Sequence, residues 1–227
     1  VAENPTVVMI EAGFRAAGLE NWRYLTIDVP RENLENGMNA VRTLGFQGIN
    51  LTIPHKVEVL RYLDEISEAA EKIGAVNTVV HRDGKLFGEN TDGKGFLTGL
   101  KEDAGVDPSG RRFFVIGAGG AARAICVELG LAGAGHITIV NRTVGKAEAL
   151  AERVRKETGS GAEAAELVPG YGIPEDTDVV VQATSIGLYP DTENRPEIDY
   201  SSILPEMTVC DVIPNPPATL FLSGAEE

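Results

Sequence analysis

The chain has 227 residues, of which 43% are hydrophobic and 24% charged, and its formal net charge is −14. This composition is typical of a globular protein with one large domain or two ordinary ones. The acidic excess argues against nucleic acid as a partner, because a phosphate-binding surface needs a basic excess. No apolar run approaches the ~20 residues that span a bilayer, so we expect no membrane segment.

The two cysteines, Cys126 and Cys210, lie far apart in apolar surroundings. We predict that they are reduced, buried thiols of a cytoplasmic protein. The sequence has no Cys-x-x-Cys and no cluster of cysteine and histidine, so we expect no metal site. No signal peptide is visible in the sequence, which begins without methionine.

The first hundred residues are predicted to alternate helices with short strands. The predicted elements are a helix over 6–19, a strand over 22–29, a helix over 31–44, a strand over 47–53, a helix over 56–73, strands over 76–81 and 85–88, and a helix over 93–103. The last two strands form a predicted hairpin, since the Asp83-Gly84 pair between them is a strong turn signal.

Residues 106–110 contain proline and glycine and mark a predicted boundary between domains 1–104 and 105–227. Beyond the boundary, short apolar strands alternate with helices. The predicted strands are 112–116, 136–140, 177–182 and 207–212, and the predicted helices are 117–134 and 144–157. Such alternation predicts a parallel sheet covered by helices on both faces.

A glycine-rich segment follows the first of these strands and opens a predicted helix. It fits G-x-G-x-x-G/A, and this context makes the match a strong signal for dinucleotide binding. Gly117 permits a tight turn and Gly119 lets the backbone approach a pyrophosphate, while Ala122 allows the helix to pack closely on the strand. The phosphates are expected at the N-terminal end of that helix.

The residues after the second strand discriminate NADP from NAD. An enzyme that uses NAD places an acid there to bind the ribose hydroxyls, whereas this chain has Asn141, Arg142 and Thr143. A guanidinium and a hydroxyl bind a 2′-phosphate by charge-assisted hydrogen bonds. Lys146, one helical turn further on, is a third candidate contact. NADP is therefore the predicted cofactor.

Polar groups of the first hundred residues suggest the reacting site. In Asn50-Leu51-Thr52-Ile53-Pro54-His55-Lys56, a strand runs into a proline and then a lysine, which aims one amine into a cleft. Lys56 and Asp92 are the candidates for acid–base chemistry. An alcohol that loses hydride must also lose its hydroxyl proton, and an amine within hydrogen-bond reach can take it.

Seven ordered motifs make the sequence resemble the shikimate dehydrogenase family over nearly its whole length. They are residues 50–56, 74–78 (Gly-Ala-Val-Asn-Thr), 90–93 (Asn-Thr-Asp-Gly), 117–122, 141–143, 183–187 (Ala-Thr-Ser-Ile-Gly) and 211–212. The resemblance implies an α/β fold with an N-terminal substrate domain, a C-terminal Rossmann-type NADP domain and the active site in the cleft between them. It implies reversible, NADP-dependent reduction of 3-dehydroshikimate to shikimate, a step of aromatic amino acid biosynthesis.

The family's functional residues carry over position by position. Lys56 and Asp92 match its catalytic pair, and Thr52 and Asn77 match groups that bind substrate hydroxyls. Matches to the cofactor site are Gly117, Gly119, Gly120 and Ala121 for the pyrophosphate, Asn141, Arg142 and Thr143 for the adenosine phosphate, and Thr184, Ser185 and Gly187 for the nicotinamide side. The expected partner is a small molecule, shikimate or a relative of it, and the chain is expected as a monomer or homodimer.

Three departures concern the substrate. The family's two carboxylate-binding serines are replaced by Asn4 and Thr6, which keep hydrogen-bond donors, and threonine at the second position resembles some relatives that accept quinate. Pro214 replaces a tyrosine whose hydroxyl contacts substrate in the family. The family's first strand and its C-terminal return segment, which carries a glutamine that binds substrate, lie beyond the ends of this sequence.

Two alternatives to a shikimate dehydrogenase stay open. One is a quinate or quinate/shikimate dehydrogenase, which Thr6 favours and Arg142 disfavours, because NAD-linked quinate oxidation would favour an acid after the second strand. The other is a non-catalytic relative that senses a metabolite. Retention of both Lys56 and Asp92 argues against a sensor, since sensing needs no pair for proton transfer.

Overall fold

The computed structural model describes residues 6–52 and 54–227, which form a four-stranded sheet, a five-stranded sheet and a small two-stranded sheet. The helices are Thr6–Ala16 (α1), Leu34–Thr43 (α2), His55–Glu58 (α3), Glu68–Ile73 (α4), Asp92–Glu102 (α5), Gly120–Leu131 (α6), Val144–Thr158 (α7) and Leu220–Glu226 (α8). The strands are Gly48–Asn50 (β1), Glu65–Ile66 (β2), Thr78–Arg82 (β3), Lys85–Glu89 (β4), Arg112–Ile116 (β5), His136–Asn141 (β6), Gly161–Glu166 (β7), Tyr171–Gly172 (β8), Val179–Gln182 (β9), Ile198–Asp199 (β10) and Thr208–Asp211 (β11). Among residues 6–52 and 54–227, no helix is long and apolar enough to cross a membrane.

The five-stranded sheet is parallel throughout, with the strand order β11-β9-β5-β6-β7. Its strand β5 is buried on both faces. Phe113 and Val115 join a core with residues of α6 and α7, whereas Phe114 and Ile116 join a second core that includes Phe221 of α8. Burial on both faces explains the continuous apolar run of β5. The predicted α/β fold class is confirmed.

The order of the strands in this sheet reverses beside β5. The chain passes from β5 to β6 and β7 on one side, and later enters β9 and β11 on the other side. Open parallel sheets bind ligands outside the carboxyl ends of their strands at such a reversal. The residues that follow Ile116 of β5 and Gln182 of β9 are therefore the expected ligand-binding loops.

The four-stranded sheet has the order β1-β3-β4-β2 and precedes the parallel sheet in the chain. Its strands β3 and β4 form the predicted hairpin. Asp83 and Gly84 have φ values of 52° and 76°, the pair of left-handed conformations that a two-residue type I′ turn requires. Val79 and Leu86 of the hairpin share a buried core with Met38 of α2.

The predicted strand over 22–29 is wrong, since none of these residues belongs to a strand in the described structure. Side chains bind the backbone there instead of a neighbouring strand. The Tyr24 N–H donates to Glu11 Oε1 at 3.4 Å, and the Val29 carbonyl accepts from His55 Nε2 at 2.8 Å. Alternating apolar residues indicate a strand only where a neighbour supplies a ladder of backbone hydrogen bonds.

The predicted helix over 56–73 is also wrong, because the structure divides it into α3, a 3-10 turn at Val59–Tyr62, β2 and α4. The break follows from hydrogen bonds to the hairpin. Asp64 accepts the Leu86 N–H through Oδ2 at 2.6 Å and donates its own N–H to the Leu86 carbonyl. Ser67 then caps α4 by accepting the Ala70 N–H at 3.1 Å.

Other boundaries shift by a few residues, and the strands β7, β8 and β10 and the helix α8 have no counterpart in the sequence prediction. The helix predicted over 31–44 begins with a 3-10 turn at Arg31–Asn33. Of the strand predicted over 47–53, the described residues 47–52 contain only β1, and Ile53 lies outside the described residues. Strand β7 lies at the edge of the parallel sheet and consists of glycine, alanine and glutamate. Its composition lacks the β-branched and aromatic residues that indicate a strand.

Helix α5 crosses α6 at Gly93, where the two helices approach each other closely. A Cβ atom at Gly93 would lie 2.5 Å from the Ala124 carbonyl oxygen, whereas one at Gly95 would have no atom within 4 Å. We expect Gly93→Ala to destabilise the protein by roughly 1–3 kcal/mol through overpacking. The control Gly95→Ala should stabilise it by about 0.5–1 kcal/mol through helix propensity. Urea unfolding measures both, and equal effects of the two substitutions would contradict the tight crossing.

Glu128 of α6 is a buried acid at the same crossing, 7% exposed, and its Oε1 has no hydrogen-bond partner among the described residues. Burial raises its pKa above the ordinary value, Lys94 opposes the rise and Glu89 adds to it. A raised pKa means that the folded state prefers the protonated acid, so the contribution of Glu128 to stability is lost as the pH rises through that pKa.

Glu128→Gln should therefore stabilise the protein at about pH 8, and the gain should shrink toward about pH 4, near the ordinary carboxyl range. Urea unfolding at both pH values measures the difference. The exposed Glu152 of α7 supplies the control Glu152→Gln, which makes the same substitution at a position open to water. A gain that grows as the pH falls would contradict a raised pKa at Glu128.

Candidate active site

Lys56 and Asp92 form an ion pair, although they are far apart in the chain. Lys56 Nζ donates to Asp92 Oδ2 at 2.6 Å, and the two side chains are 19% and 27% exposed. Lys56 lies in α3, just after Pro54, and its carbonyl accepts the Val76 N–H at 2.7 Å. Asp92 begins α5, where the positive end of the helix favours a carboxylate. The sequence-predicted pair therefore meets in space, partly shielded from water.

Asn77 binds the second oxygen of the same carboxylate. Its Nδ2 donates to Asp92 Oδ1 at 2.7 Å and to Thr91 Oγ1 at 3.0 Å. The Thr91 N–H donates to Asn77 Oδ1 at 2.9 Å, which fixes the orientation of the carboxamide. Asn77 is 8% exposed. Both oxygens of Asp92 thus have a donor, and the carboxylate can hold the Lys56 ammonium in one position.

Asn90 organises this region, although it is not among the predicted site residues. It is fully buried, its Nδ2 donates to the Ala75 carbonyl at 3.0 Å, and its Oδ1 accepts the Asp92 N–H at 3.1 Å. The side chain therefore joins the segment before Asn77 to the start of α5. Its position two residues before an aspartate, at the end of a strand, is the signal for such a turn.

The structure brings none of the other predicted substrate ligands into a described contact with Lys56 or Asp92. Thr52 is exposed and follows β1, and its carbonyl accepts the His55 N–H at 2.9 Å. Thr6 is the first residue of α1 and is half-buried. Asn4 lies outside the described residues. The structure therefore places Lys56, Asn77 and Asp92 together, while their relation to Asn4 and Thr6 stays a prediction.

The glycine loop follows β5 at the reversal of strand order. Gly117 has a φ of 114°, and a Cβ there would lie 2.9 Å from the Ala183 carbonyl oxygen, so a larger residue would meet both strain and a clash. Gly119 is exposed, and a Cβ there would have no atom within 4 Å. Helix α6 begins at Gly120, followed by Ala121. Open space beside the N-terminal end of a helix fits a pyrophosphate.

The glycine loop faces the ion pair. A Cβ at Gly120 would lie 3.8 Å from Lys56 Cδ. Arg123 of α6 donates to the Gly74 carbonyl at 3.4 Å, and Arg153 of α7 donates to the Lys72 carbonyl at 2.9 Å. These two arginines bind the C-terminal end of α4, where exposed carbonyls favour a cation. The loop predicted for the cofactor and the pair predicted for proton transfer are therefore neighbours in space.

The predicted adenosine-phosphate residues lie at the carboxyl end of β6 and the start of α7. Asn141 Nδ2 donates to the Thr143 carbonyl at 2.9 Å, which shapes the connecting loop. Arg142, Thr143 and Lys146 are exposed, and Thr143 occupies the N-cap position of α7. Two cations and the N-terminal end of a helix at one place suit a phosphate group. The residues present therefore fit NADP.

The loop after β9 carries the residues predicted for the nicotinamide side. Thr184 Oγ1 accepts the Ile186 N–H at 3.1 Å, and Gly187 has a φ of 91°. Gln182, which is fully buried, accepts the Thr184 N–H at 2.5 Å and donates to the Ile186 carbonyl at 3.1 Å. Ser185 is exposed at the turn. Gln182 thus shapes this loop, although its sequence pattern predicts only a strand residue.

Asp211 is the last residue of β11 in the parallel sheet, and its carboxylate binds groups of the segment that follows. Its Oδ2 accepts the Thr219 hydroxyl at 2.6 Å and its Oδ1 accepts the Ile213 N–H at 3.0 Å. Burial raises the pKa of Asp211, and these hydrogen bonds oppose the rise. Pro214, which follows, is exposed.

Neither cysteine belongs to the site, and no metal centre accompanies it. Cys126 and Cys210 are free thiols; Cys126 is buried as predicted, whereas Cys210 is only partly buried. Burial still raises the pKa of Cys210 to about 11. Residues 6–52 and 54–227 contain no group of three or more histidine, cysteine, aspartate or glutamate side chains suited to a metal ion.

Protein-family models match most of the chain. Residues 2–79 match a model described as "Shikimate dehydrogenase substrate binding domain" and residues 100–195 match one described as "Shikimate / quinate 5-dehydrogenase". The chain belongs to the shikimate dehydrogenase family. It is 43% identical over 222 residues to the shikimate dehydrogenase (NADP(+)) of Methanopyrus kandleri, an alignment that covers 96% of this chain and 76% of that relative.

Two crystal structures resemble the fold closely. A ligand-free 5-ketofructose reductase of Gluconobacter sp. strain CHM43 is 48% identical, with a TM-score of 0.91 over 99% of this chain and 80% of that one. A shikimate dehydrogenase of Thermus thermophilus in complex with NADP(H) and shikimate is 36% identical, with a TM-score of 0.82 over 100% and 80% of the two chains. The predicted membership in the shikimate dehydrogenase family, with its NADP-dependent members, is confirmed.

Proposed function

We propose that the protein is an NADP-dependent dehydrogenase that reversibly reduces 3-dehydroshikimate to shikimate. The observation that carries the proposal is the Lys56–Asp92 pair, 2.6 Å apart, beside the glycine loop, where a Cβ at Gly120 would lie 3.8 Å from Lys56 Cδ. The names of relatives such as the enzyme of M. kandleri support the same activity. A dinucleotide loop beside a positioned ammonium suits hydride transfer coupled to proton transfer.

The nicotinamide cofactor, when bound, supplies the hydride to the ketone carbon or accepts it in reverse. The Lys56 ammonium gives its proton to the ketone oxygen during reduction, and the neutral amine takes the hydroxyl proton during oxidation. Asp92 keeps Nζ in place, since its own position is fixed through Asn77. The chain therefore contributes orientation and one proton, while the redox chemistry belongs to the cofactor.

The proposed substrate contacts are Thr52 and Asn77 at the hydroxyls and Asn4 and Thr6 at the carboxylate. The proposed cofactor contacts are Gly117, Gly119, Gly120, Ala121, Asn141, Arg142, Thr143, Lys146, Thr184, Ser185 and Gly187. The proposed cofactor contacts are supported by their position at the carboxyl ends of β5, β6 and β9. Each of these ends lies at the edge where parallel sheets bind nucleotides.

A second candidate function is the reduction of a polyhydroxy ketone that lacks a carboxylate. The Gluconobacter 5-ketofructose reductase is 48% identical to this chain, compared with 43% for the M. kandleri shikimate dehydrogenase. Thr6 and Pro214 stand where the family has groups that contact shikimate. Both reactions convert a ketone to a secondary alcohol, so the same Lys56–Asp92 pair and the same cofactor serve either substrate.

One assay separates these candidates. The protein is mixed with 3-dehydroshikimate or 5-ketofructose, each with NADPH or NADH, and loss of the reduced cofactor is followed by absorbance; shikimate and quinate are tested in the reverse direction. We expect the highest kcat/KM with 3-dehydroshikimate and NADPH. A higher value with 5-ketofructose would favour the second candidate, and a higher value for quinate than for shikimate would favour a quinate dehydrogenase. Turnover in none of these mixtures would refute both dehydrogenase proposals and favour a metabolite sensor.

A division of the chain into two domains agrees with this function. We propose a substrate domain over 1–104 and a cofactor domain over 105–227, supported by the sheet that each range contains. We also propose that the protein acts in the cytoplasm as a monomer or homodimer. Light scattering coupled to size-exclusion chromatography measures the oligomeric state.

A further inference from the structure

A chain of side-chain hydrogen bonds leads away from the Lys56–Asp92 pair and ends at a tyrosine. Tyr24 Oη lies 3.2 Å from Asn50 Oδ1, Asn50 Nδ2 lies 3.1 Å from Thr78 Oγ1, and Thr78 Oγ1 lies 3.0 Å from Asn77 Oδ1. Asn77 then binds Asp92. We propose that Tyr24 is a positioning residue, which acts through Asn50 and Thr78 to hold the carboxamide that orients Asp92. The inference rests on the proposed dehydrogenase function.

The order of the strands brings the links of this chain together. Asn50 is the last residue of β1 and Thr78 is the first of β3, and the two are directly opposite in the antiparallel ladder. Facing residues in such a ladder lie close enough for their side chains to bind each other. Tyr24 belongs to no strand, and its backbone is tied to α1 through Glu11. The phenol therefore connects the segment around residue 24 to the end of β1 in the four-stranded sheet.

The donor and the acceptor of each hydrogen bond between Tyr24 and Asp92 can be assigned. A carboxylate only accepts and a backbone N–H only donates, so Asn77 must direct Nδ2 to Asp92 and Oδ1 to the Thr91 N–H. The Thr78 hydroxyl then donates to Asn77 Oδ1, and it accepts from Asn50 Nδ2. Asn50 Oδ1 consequently accepts from the Tyr24 hydroxyl.

All the donors in this chain point toward the Asp92 carboxylate. Aligned hydrogen bonds polarise one another and strengthen the bonds further along. Burial raises the pKa of Tyr24 above its ordinary value, so the phenol keeps the proton that it donates. Loss of the first donor leaves Asn50 free to rotate, which releases Thr78 and weakens the restraint on Asn77. Tyr24 can therefore influence the position of Asp92 through Asn50, Thr78 and Asn77.

The test is a double-mutant cycle on kcat. Tyr24→Phe deletes only the hydroxyl and should lower kcat about 3- to 10-fold, the effect of one hydrogen bond, with no change in the KM for NADPH. Thr78→Val breaks the chain nearer to Asp92 and should lower kcat at least as much, whereas Thr78→Ser keeps a hydroxyl and should recover most of the loss. The double variant of Tyr24→Phe with Thr78→Val should equal Thr78→Val alone, because a broken chain transmits nothing further.

Tyr62 provides the matched control, since this half-buried tyrosine packs against the core of the same sheet. Tyr62→Phe should leave kcat unchanged. Multiplicative effects of the two substitutions, or an unchanged kcat in Tyr24→Phe, would overturn the inference.

The NMR resonance of the Asp92 carboxyl carbon, assigned with Asp92→Asn, gives a readout that needs no turnover. It should shift in Tyr24→Phe, and Tyr24→Phe should cause no further shift in a protein that already carries Thr78→Val. This pattern in a protein without turnover would refute the dehydrogenase proposal but support the positioning by Tyr24. Independent shifts in an active protein would overturn the positioning alone.

Discussion

Lys56→Ala should lower turnover roughly 10²–10⁴-fold, the usual contribution of a general acid–base group. Lys56 Nζ supplies the proton to the ketone oxygen, and Asp92 holds it at 2.6 Å. The KM for the ketone should change little, because the proposed substrate contacts at Thr52, Asn77 and Thr6 remain. Steady-state kinetics with NADPH measures kcat and KM separately, and a loss in kcat at constant KM indicates an interaction made in the transition state.

The exposed Lys101, near the end of α5, is the control for removing one positive charge. Lys101→Ala should retain the turnover of the original protein. A Lys56→Ala protein with nearly unchanged turnover would remove Lys56 from the mechanism. A large rise in the KM for the ketone at constant kcat would instead make Lys56 a binding residue.

Local patterns allow the parallel sheet and the hairpin to be predicted from the sequence. Strand β5 reads as a continuous apolar run, and the glycines after it lead directly into α6. The Asp83-Gly84 turn is determined by two adjacent residues that tolerate positive φ. These features depend on neighbours in sequence, so composition and spacing are sufficient to indicate them.

The two wrong elements depend on contacts that are remote in sequence. Residues 56–73 have helical periodicity, but Asp64 binds the backbone of Leu86, 22 residues away, and this contact places β2 beside β4. Residues 22–29 alternate as a strand does, yet Glu11 and His55 bind their backbone groups. Tertiary hydrogen bonds override local preference in both segments.

In the candidate site, too, motifs indicate the residues, whereas their contacts depend on partners that are remote in sequence. Motifs indicate Lys56, Asn77 and Asp92, but their contacts arise because Asn90 binds the Ala75 carbonyl and the Asp92 N–H. Buried amides such as Asn90 and Gln182 act on the backbone of loops, and one sequence contains no signal for the partners that they find. The hydrogen bonds from Tyr24 to Asn77 have the same origin, since they need the pairing of β1 with β3.

Arg142→Asp should reverse the preference between the two nicotinamide cofactors. Arg142 lies exposed at the carboxyl end of β6, beside the N-terminal end of α7, where a 2′-phosphate is proposed to bind. A hydrogen bond to a charged group contributes about 1.5–3 kcal/mol, so its loss alone lowers affinity for NADPH about 10- to 100-fold. The new carboxylate also repels the phosphate, whereas it can bind the ribose hydroxyls of NADH. The ratio of kcat/KM for NADPH to that for NADH should therefore fall by about 100-fold or more.

The same kinetic comparison on Lys156→Asp separates a local effect from a general one. Lys156 is exposed in the last turn of α7, so this substitution makes the same change of charge at the opposite end of the helix from Arg142. It should leave the ratio of the two cofactors nearly unchanged, because charges more than a Debye length apart are screened by salt. A proportional loss with both cofactors in Arg142→Asp would mean that Arg142 supports the loop without binding the 2′-phosphate. A fall in the ratio confined to Arg142→Asp, with kcat retained, would assign the choice of NADP to this guanidinium.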